Sequence, residues 1–370
     1  VAVRVEGAVV ALETIGDGAV SLNATLDAGL EGQEAGNVRI EATGDLNRAV
    51  AREGVGKVAP GALAAIVPSA SITLDGMPTV VARPWLGALA AAGVDVPSMV
   101  GPTMHAEITW AEEPSGAAVG VEIDAANIGI DARAHWQDNG LALLQPAYVR
   151  TSTPAALIRP WLPERWVVEE GGAVEVAINQ LTLPGDGFAL RVSKLETQGV
   201  VKASGISLVS PDAMTMGVQD FRAKLHADGR ATTLELETTP TVGEHRLRAI
   251  SSLTADGIES LLQADRPPAI IGSIELTGSN QAIGVLGIEV AQRPLQDWLR
   301  AGVGGDVRIV ASLTEPPPEA VLAGQVSLES EHATMRAEDL RFGSGALALS
   351  GVRITATPSQ QLWQHAAEFI

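Results

Sequence analysis

Cysteine is absent from this 370-residue chain, which removes disulfides, thiolate metal sites and cysteine nucleophiles together. Its absence suits a bacterial envelope protein and many cytosolic ones equally. Aromatics are nearly as scarce, at 3% against 46% hydrophobic residues, so Ala, Val, Leu and Ile carry the apolar content. Such side chains make smooth, narrow apolar surfaces without the large rings that anchor most interfaces. Positive charge is short too: 25 Lys and Arg face 44 Asp and Glu, a formal net charge of −19. No basic run offsets that field locally, and it repels nucleic-acid phosphates and anionic membrane surfaces. Nucleic acid is not expected as a partner. Long apolar runs are also missing. Segments 59–68 and 86–94 come nearest, rich in Ala and Gly and well below the roughly 18–20 residues of a membrane span. Val1 opens the chain with neither Met nor a leader pattern. It therefore reads as a processed protein or a piece of a longer chain, with any targeting or anchoring element outside it.

What is abundant is alternation with a period of two, the mark of strands with one dry and one wet face. Val1, Val3 and Val5 alternate with Ala2, Arg4 and Glu6; Val38 and Ile40 alternate with Arg39 and Glu41. Ile72 and Leu74 do the same, and Val119, Val121 and Ile123 oppose Glu122 and Asp124. The pattern returns at Val174, Val176 and Ile178, at Phe188, Leu190 and Val192, and at Leu234 and Leu236. It continues to the C-terminal third with Val307 and Ile309, Val326 and Leu328, Leu347 and Leu349, then Val352 and Ile354. Phase flips at Ala125-Ala126-Asn127 and at Asn179-Gln180 call for a hairpin or a bulge. Gly16-Asp17-Gly18, Gly185-Asp186-Gly187, Asp228-Gly229 and Gly343-Ser344-Gly345 read as turns. The fold class is therefore mainly β: a long antiparallel, strongly curved sheet, groove-like, with a few short interrupting helices.

Those helices echo one another. Pro78 and Pro154 each precede Arg-Pro-Trp-Leu at the same offset, ending in Trp85-Leu86 and Trp161-Leu162, 76 residues apart. Looser echoes are Arg293-Pro294 with Trp298-Leu299, and Thr357-Pro358 with Leu362-Trp363. Thr followed by Pro suits a helix start, and the second Pro ends or kinks the helix. Internal duplication divides the chain into a β segment (1–76), a β repeat opened by a short helix (77–152), a second such repeat (153–290), and a last segment (291–370). That last segment holds a short helix, strands and a C-terminal helix. Trp85 and Trp161 read either as plugs docking these helices onto the sheet or as parts of helices that gate an apolar channel.

No catalytic constellation is present. The six histidines never fall at helical metal-ligand spacing, and no nucleophile elbow, P-loop or dinucleotide fingerprint occurs. The pairs Glu112-Glu113 and Glu169-Glu170 sit beside Pro or Gly and read as solvated turns. Neither enzyme activity, metal nor cofactor is expected.

Amphipathic strands broken by short Thr-Pro-led helices resemble the AsmA-like proteins of bacterial envelopes. The segment from Thr153 to Leu162 carries most of the likeness. Asn179-Gln180-Leu181-Thr182-Leu183-Pro184 follows, then 192–208 with Gly199-Val200-Val201 as a turn into a new strand. The likeness spans roughly residues 36–356. It implies a repeating β-groove protein related to bridge-like lipid transfer proteins, without catalysis or cofactor and on the periplasmic side of a bacterial envelope. It also implies phospholipid or another acyl lipid as partner, together with an N-terminal anchor helix, here missing, or membrane-anchored partners.

Three functions compete on these residues. In the first, small aliphatic strand faces line an open slot for acyl chains, with Val119, Val121, Ile123, Val174, Val176, Ile178, Leu234 and Leu236 facing the lipid. In the second, the same faces close a dry core, giving a structural or adhesive sandwich or solenoid of the cell surface. The third, an enzyme acting on envelope glycans, needs two carboxylates in a cleft roughly 5–10 Å apart.

Overall fold

The structure, a computed structural model, describes residues 3–16, 18–30, 36–50, 60–79, 96–114, 116–152, 154–159, 166–169, 171–187, 189–209, 215–256, 269–280, 282–283, 305–317, 322–343 and 346–356. These are mainly strands in antiparallel pairing, interrupted by four helices of five to seven residues. The chain divides into two compact units: Val1–Pro163 with Glu170–Val200, and Glu164–Glu169 with Val201–Ile370.

The first unit is a meander. Strands β1 (Val3–Gly16), β2 (Ala19–Leu30), β3 (Gly36–Asp45), β4 (Ser69–Pro78), β5 (Thr103–Glu113), β6 (Gly116–Ala125) and β7 (Ile128–Gln137) each pair with the next. β8 (Gly140–Leu143) and β9 (Ala147–Thr151) lie end to end between β7 and the 14-residue β11 (Ala173–Asp186). Leu144, Gln145 and Pro146 separate them, and Pro146 has no N–H to give a ladder. Opposite this break β11 exposes Asn179 and Gln180 in succession, so the phase flip there is a bulge inside one strand and not a hairpin. The flip at 125–127 is a hairpin, as the period suggested.

The second unit repeats the wiring. β10 (Val167–Val168) pairs with β14 (Ile206–Val209), and β14 pairs with β15 (Thr215–Asp228). Then β16 (Ala231–Val242), β17 (His245–Asp256), β18 (Ile270–Ser279), β19 (Asp306–Thr314), β20 (Leu322–Ser330) and β21 (Ala333–Gly343) follow in order. β21 ends against another broken strand, β22 (Ala346–Ser350) and β23 (Arg353–Ala356). An extra residue at Leu74/Met77, Val218/Phe221 and Gly324/Val326 shifts register, and such bulges bend and twist a strand locally.

Two expected features differ. Leu190 lies in a two-residue strand, β12 (Ala189–Leu190), while Val192 begins a 3₁₀ turn over Val192–Lys194; Phe188 lies outside the described residues. Gly199-Val200-Val201 is the middle of β13 (Glu196–Ser204), not a turn. A Cβ on Gly199 would lie 3.1 Å from the Ala177 carbonyl oxygen, so the glycine serves close backbone approach within the sheet. The turn falls instead at Gly205, whose φ of 67° suits glycine.

The helices lie between strands. α1 (Leu46–Val50) starts where the Asp45 carboxylate accepts the N–H groups of Asn47 and Arg48, an N-cap arrangement. α2 (Pro60–Ile66) falls inside the apolar stretch 59–68. α3 (Val96–Val100) and α4 (Pro154–Ile158) complete the set. α4 opens at Pro154 and stops two residues before Pro160, matching the sequence reading. Of the earlier copy, Pro78 and Thr79 are described, both almost fully buried. Trp85 and Trp161 lie outside the described residues, as does the expected C-terminal helix.

Candidate functional site

Register decides which side chains share a face, and here it aligns the apolar residues into rows that cross whole sheets. In the first unit one row runs from Ala8 on β1 through Leu26, Val38, Leu74 and Ala106 to Ile123. It continues through Ile130 and Val149 to Val176 on β11. No polar residue interrupts it. Beside it run Val10, Ala24, Ile40, Ile72, Ile108, Val121 and Ala132. A third row carries Leu12, Leu22, Ala42, Ala70, Trp110, Val119 and Ala134. Across nine strands the longest row follows the sheet for about 38 Å, at about 4.8 Å per strand.

The opposite face is polar. Thr73, Glu107, Glu122, Asp131 and Tyr148 form one of its rows, with three carboxylates on adjacent strands. Arg150 bonds Glu175 at 3.4 Å and lies 5.6 Å from the Tyr148 ring centroid.

Among the described residues, helices cover the apolar face only at the strand ends. At one end Met99 and Val100 of α3, with Ala156 of α4, pack on Met77, Met104 and Ile128 in a buried cluster. At the other end Ala64 of α2 is 1% exposed and Ala117 of β6 is fully buried. There the Trp110 indole N–H donates to the Val67 carbonyl at 3.0 Å, and the Gly61 N–H donates to Asp138 at 3.0 Å. Arg48 fastens the same end to β5 through Glu112 at 2.9 Å. Between the two ends the described residues leave the face partly open: Val119, Val121 and Ile123 are half-buried and Ile108 beside Val121 is 40% exposed, while Ala106 opposite Ile123 is buried. From Val119 to Ile123 the open strip is about 13 Å wide.

The second unit carries equivalent rows. Phe221, Thr238, Ala249, Leu276, Ile309, Leu328, Met335 and Ile354 form one. Ala223, Leu236, Ser251, Ile274, Ala311, Val326 and Ala337 form the next. Leu225, Leu234, Leu253, Gly272, Leu313, Gly324, Leu340 and Leu349 form a third. One strand end is covered where Ala282 and Ile283 pack on Val242, Leu247, Val307 and Leu328. Ile274, in the middle of its row, is 39% exposed.

Ion pairs hold the polar face of this unit. Lys224 reaches Glu235 at 3.2 Å, Arg248 reaches Glu237 at 2.9 Å, and Arg308 grips Glu275 with two N–H groups at 2.8 and 3.1 Å. That grip, chiefly the hydrogen bonds from Arg308, holds the Glu275 carboxyl below the usual carboxylate range and raises the guanidinium. Asp228 is also lowered, by the backbone N–H groups of Ala231 and Arg230 in its turn.

All eight sequence-predicted residues are half-buried strand residues of these faces. Val176 and Ile123 fall in one row, Val119 and Val121 in the two beside it. Val174 and Ile178 flank Val176 along β11, opposite Thr151 and Ala147. Leu234 and Leu236 belong to the second unit. Leu26, Leu74, Ile108, Ile130 and Val149 belong to the same rows but were not singled out, because one strand's alternation cannot tell which neighbour it meets.

Glu112 is occupied by Arg48, Glu113 lies 3.2 Å from His135, and Glu169 accepts from the Ser207 hydroxyl; Glu170 lies outside the described residues. Among the described residues no group of His, Asp or Glu is placed to hold a metal, and none of their helices is long and apolar enough to cross a membrane. In comparison with known proteins, the chain matches no family model, no curated protein and no solved structure.

Proposed function

We propose that the open apolar faces bind the acyl chains of lipids, and that the chain acts as a non-catalytic lipid-binding or lipid-transfer segment of a bacterial envelope protein. One observation carries this reading. The uninterrupted row from Val10 to Ala132 crosses seven strands and none of its residues is buried, with Val10 69% and Ile108 40% exposed. A sheet that only needed a core would bury such a row under a second layer. An acyl chain gains from the same burial, about 0.8 kcal/mol per CH₂ removed from water. Small aliphatic side chains leave a smooth surface over which a chain can shift without a fixed site, which suits transfer better than storage.

The test is native mass spectrometry of protein purified without detergent, followed by Ile123→Asp and Val176→Asp. Co-purified phospholipid, lost in both variants while their thermal melting stays near the parent's, is the expected result. Lipid-free protein that also fails to take up phospholipid from vesicles would overturn the reading and leave the structural, cell-surface alternative.

A further inference from the structure

The four most exposed large apolar residues among those described all lie on one strand. Val9 is 66% exposed, Val10 69%, Leu12 70% and Ile15 62%, and all four belong to β1. Among the described residues β1 pairs on one side alone, with β2. Among the described residues no strand pairs with its other edge, along a stretch that carries no charge and no proline from Gly7 to Leu12. Natural edge strands are normally guarded by charges, prolines, bulges or brevity, because an unguarded edge pairs with another strand. The broken strand β22/β23 shows such protection: five and four residues, a Gly351 turn between them, and Arg353. β1 shifts register at Val5/Gly7 and at Thr14/Gly16, but between those bulges its six residues from Gly7 to Leu12 carry no such guard.

We propose that β1 pairs antiparallel with β1 of a second copy of this chain, centred on Val10, in a two-fold homodimer. The sequence of the strand argues for a second copy over an unrelated strand, because it is its own complement in this register. Val10 meets Val10, Ala8 meets Leu12, and Val9 meets Ala11, so each pair keeps its face and each is apolar. The carboxylate nearest the centre avoids its copy as well: Glu13 falls opposite Gly7. In a chain of net charge −19, which otherwise repels its copies, a contact strip without facing carboxylates is the place where two copies can meet. A two-fold contact of this kind also closes on itself, so it ends at a dimer and does not grow into fibres. The pairing joins the apolar rows of one copy to those of the next at Val10, but it does not depend on what those rows bind.

The experiment measures the mass of the full chain by light scattering on a sizing column, with three variants. The parent is expected at twice the single-chain mass of 38.2 kDa. Val9→Lys with Ala11→Lys places like charges opposite each other twice and is expected at the single-chain mass with unchanged circular dichroism. Val9→Lys with Ala11→Glu places opposite charges there and is expected to restore the dimer. Under oxidation Val10→Cys, in a chain without other cysteines, is expected to give a covalent dimer, while Leu12→Cys, which meets Ala8, gives none. A monomeric parent, leaving the edge to a strand of some other protein, would overturn the proposal. So would a dimer that survives both lysines, or one that crosslinks through Leu12→Cys and not Val10→Cys.

Discussion

The covered ends and the open middle of the first unit's apolar face are built from the same kinds of residue and differ in accessibility. Met104 and Ile128, under α3 and α4, are buried to 6% and 8%, while Ile108, four residues along β5 from Met104, stays 40% exposed. Side-chain type therefore does not set burial here. What sets it is whether one of the short helices lies above the strand at that point. The lesson is that this sheet obtains its stability at its margins and leaves its centre free.

The largest effect expected from this comparison comes from placing a charge under the helices. Met104→Asp would strand a carboxylate among Met77, Met99, Val100 and Ile128, at a cost of about 4 kcal/mol or more, and should unfold the first unit in a thermal melt. The same change at Ile123, in the open strip, should cost no more than about 2 kcal/mol, since its new carboxylate keeps contact with water. Equal destabilisation at the two sites would erase the distinction between margin and centre. Arg48→Ala, which unfastens one margin from Glu112, should lower stability by at most about 1 kcal/mol because the pair is half-exposed. A larger loss would mean that this margin depends on charge more than on the packing of Ala64.

The smallest effect belongs to the polar face. Glu275 has its folded pKa depressed by Arg308, so its contribution is present above the ordinary glutamate value and is lost as pH falls through the depressed one. In Arg308→Ala the Glu275 titration followed by NMR should move up toward the ordinary value, with little change in melting at neutral pH. No movement would show that the pair is not formed in solution.

Much of this was readable in advance, and the limit has a physical cause. Alternation at Val119, Val121 and Ile123 or at Leu234 and Leu236 reports one strand's two faces, and those assignments agree with the structure. A row, by contrast, is a property of register across many strands, which turn lengths and bulges set jointly. The extra residue at Asp75-Gly76, with Gly76 at a φ of 61°, is one such device that alternation does not display. Gly199 reads as a turn from the sequence alone because glycine serves both turns and close strand approach. α2 gives no helical signal because seven residues rich in Ala, without charges or a period of their own, look like any short apolar run.

The wiring of the strands has a consequence for how such a protein is made. From β1 to β7, and again from β14 to β21 apart from the strand numbering, each strand's partner is the one that leaves the ribosome next. Most of these ladders close through a short loop, and even the longest connections, between β3 and β4, β4 and β5, and β18 and β19, keep each contact between neighbours in sequence, with the low entropic barrier of local contacts. Synthesis can proceed hairpin by hairpin, each new strand finding a finished edge already waiting for it. The same logic lets such a chain lengthen or shorten over evolutionary time by whole hairpins without rewiring what came before.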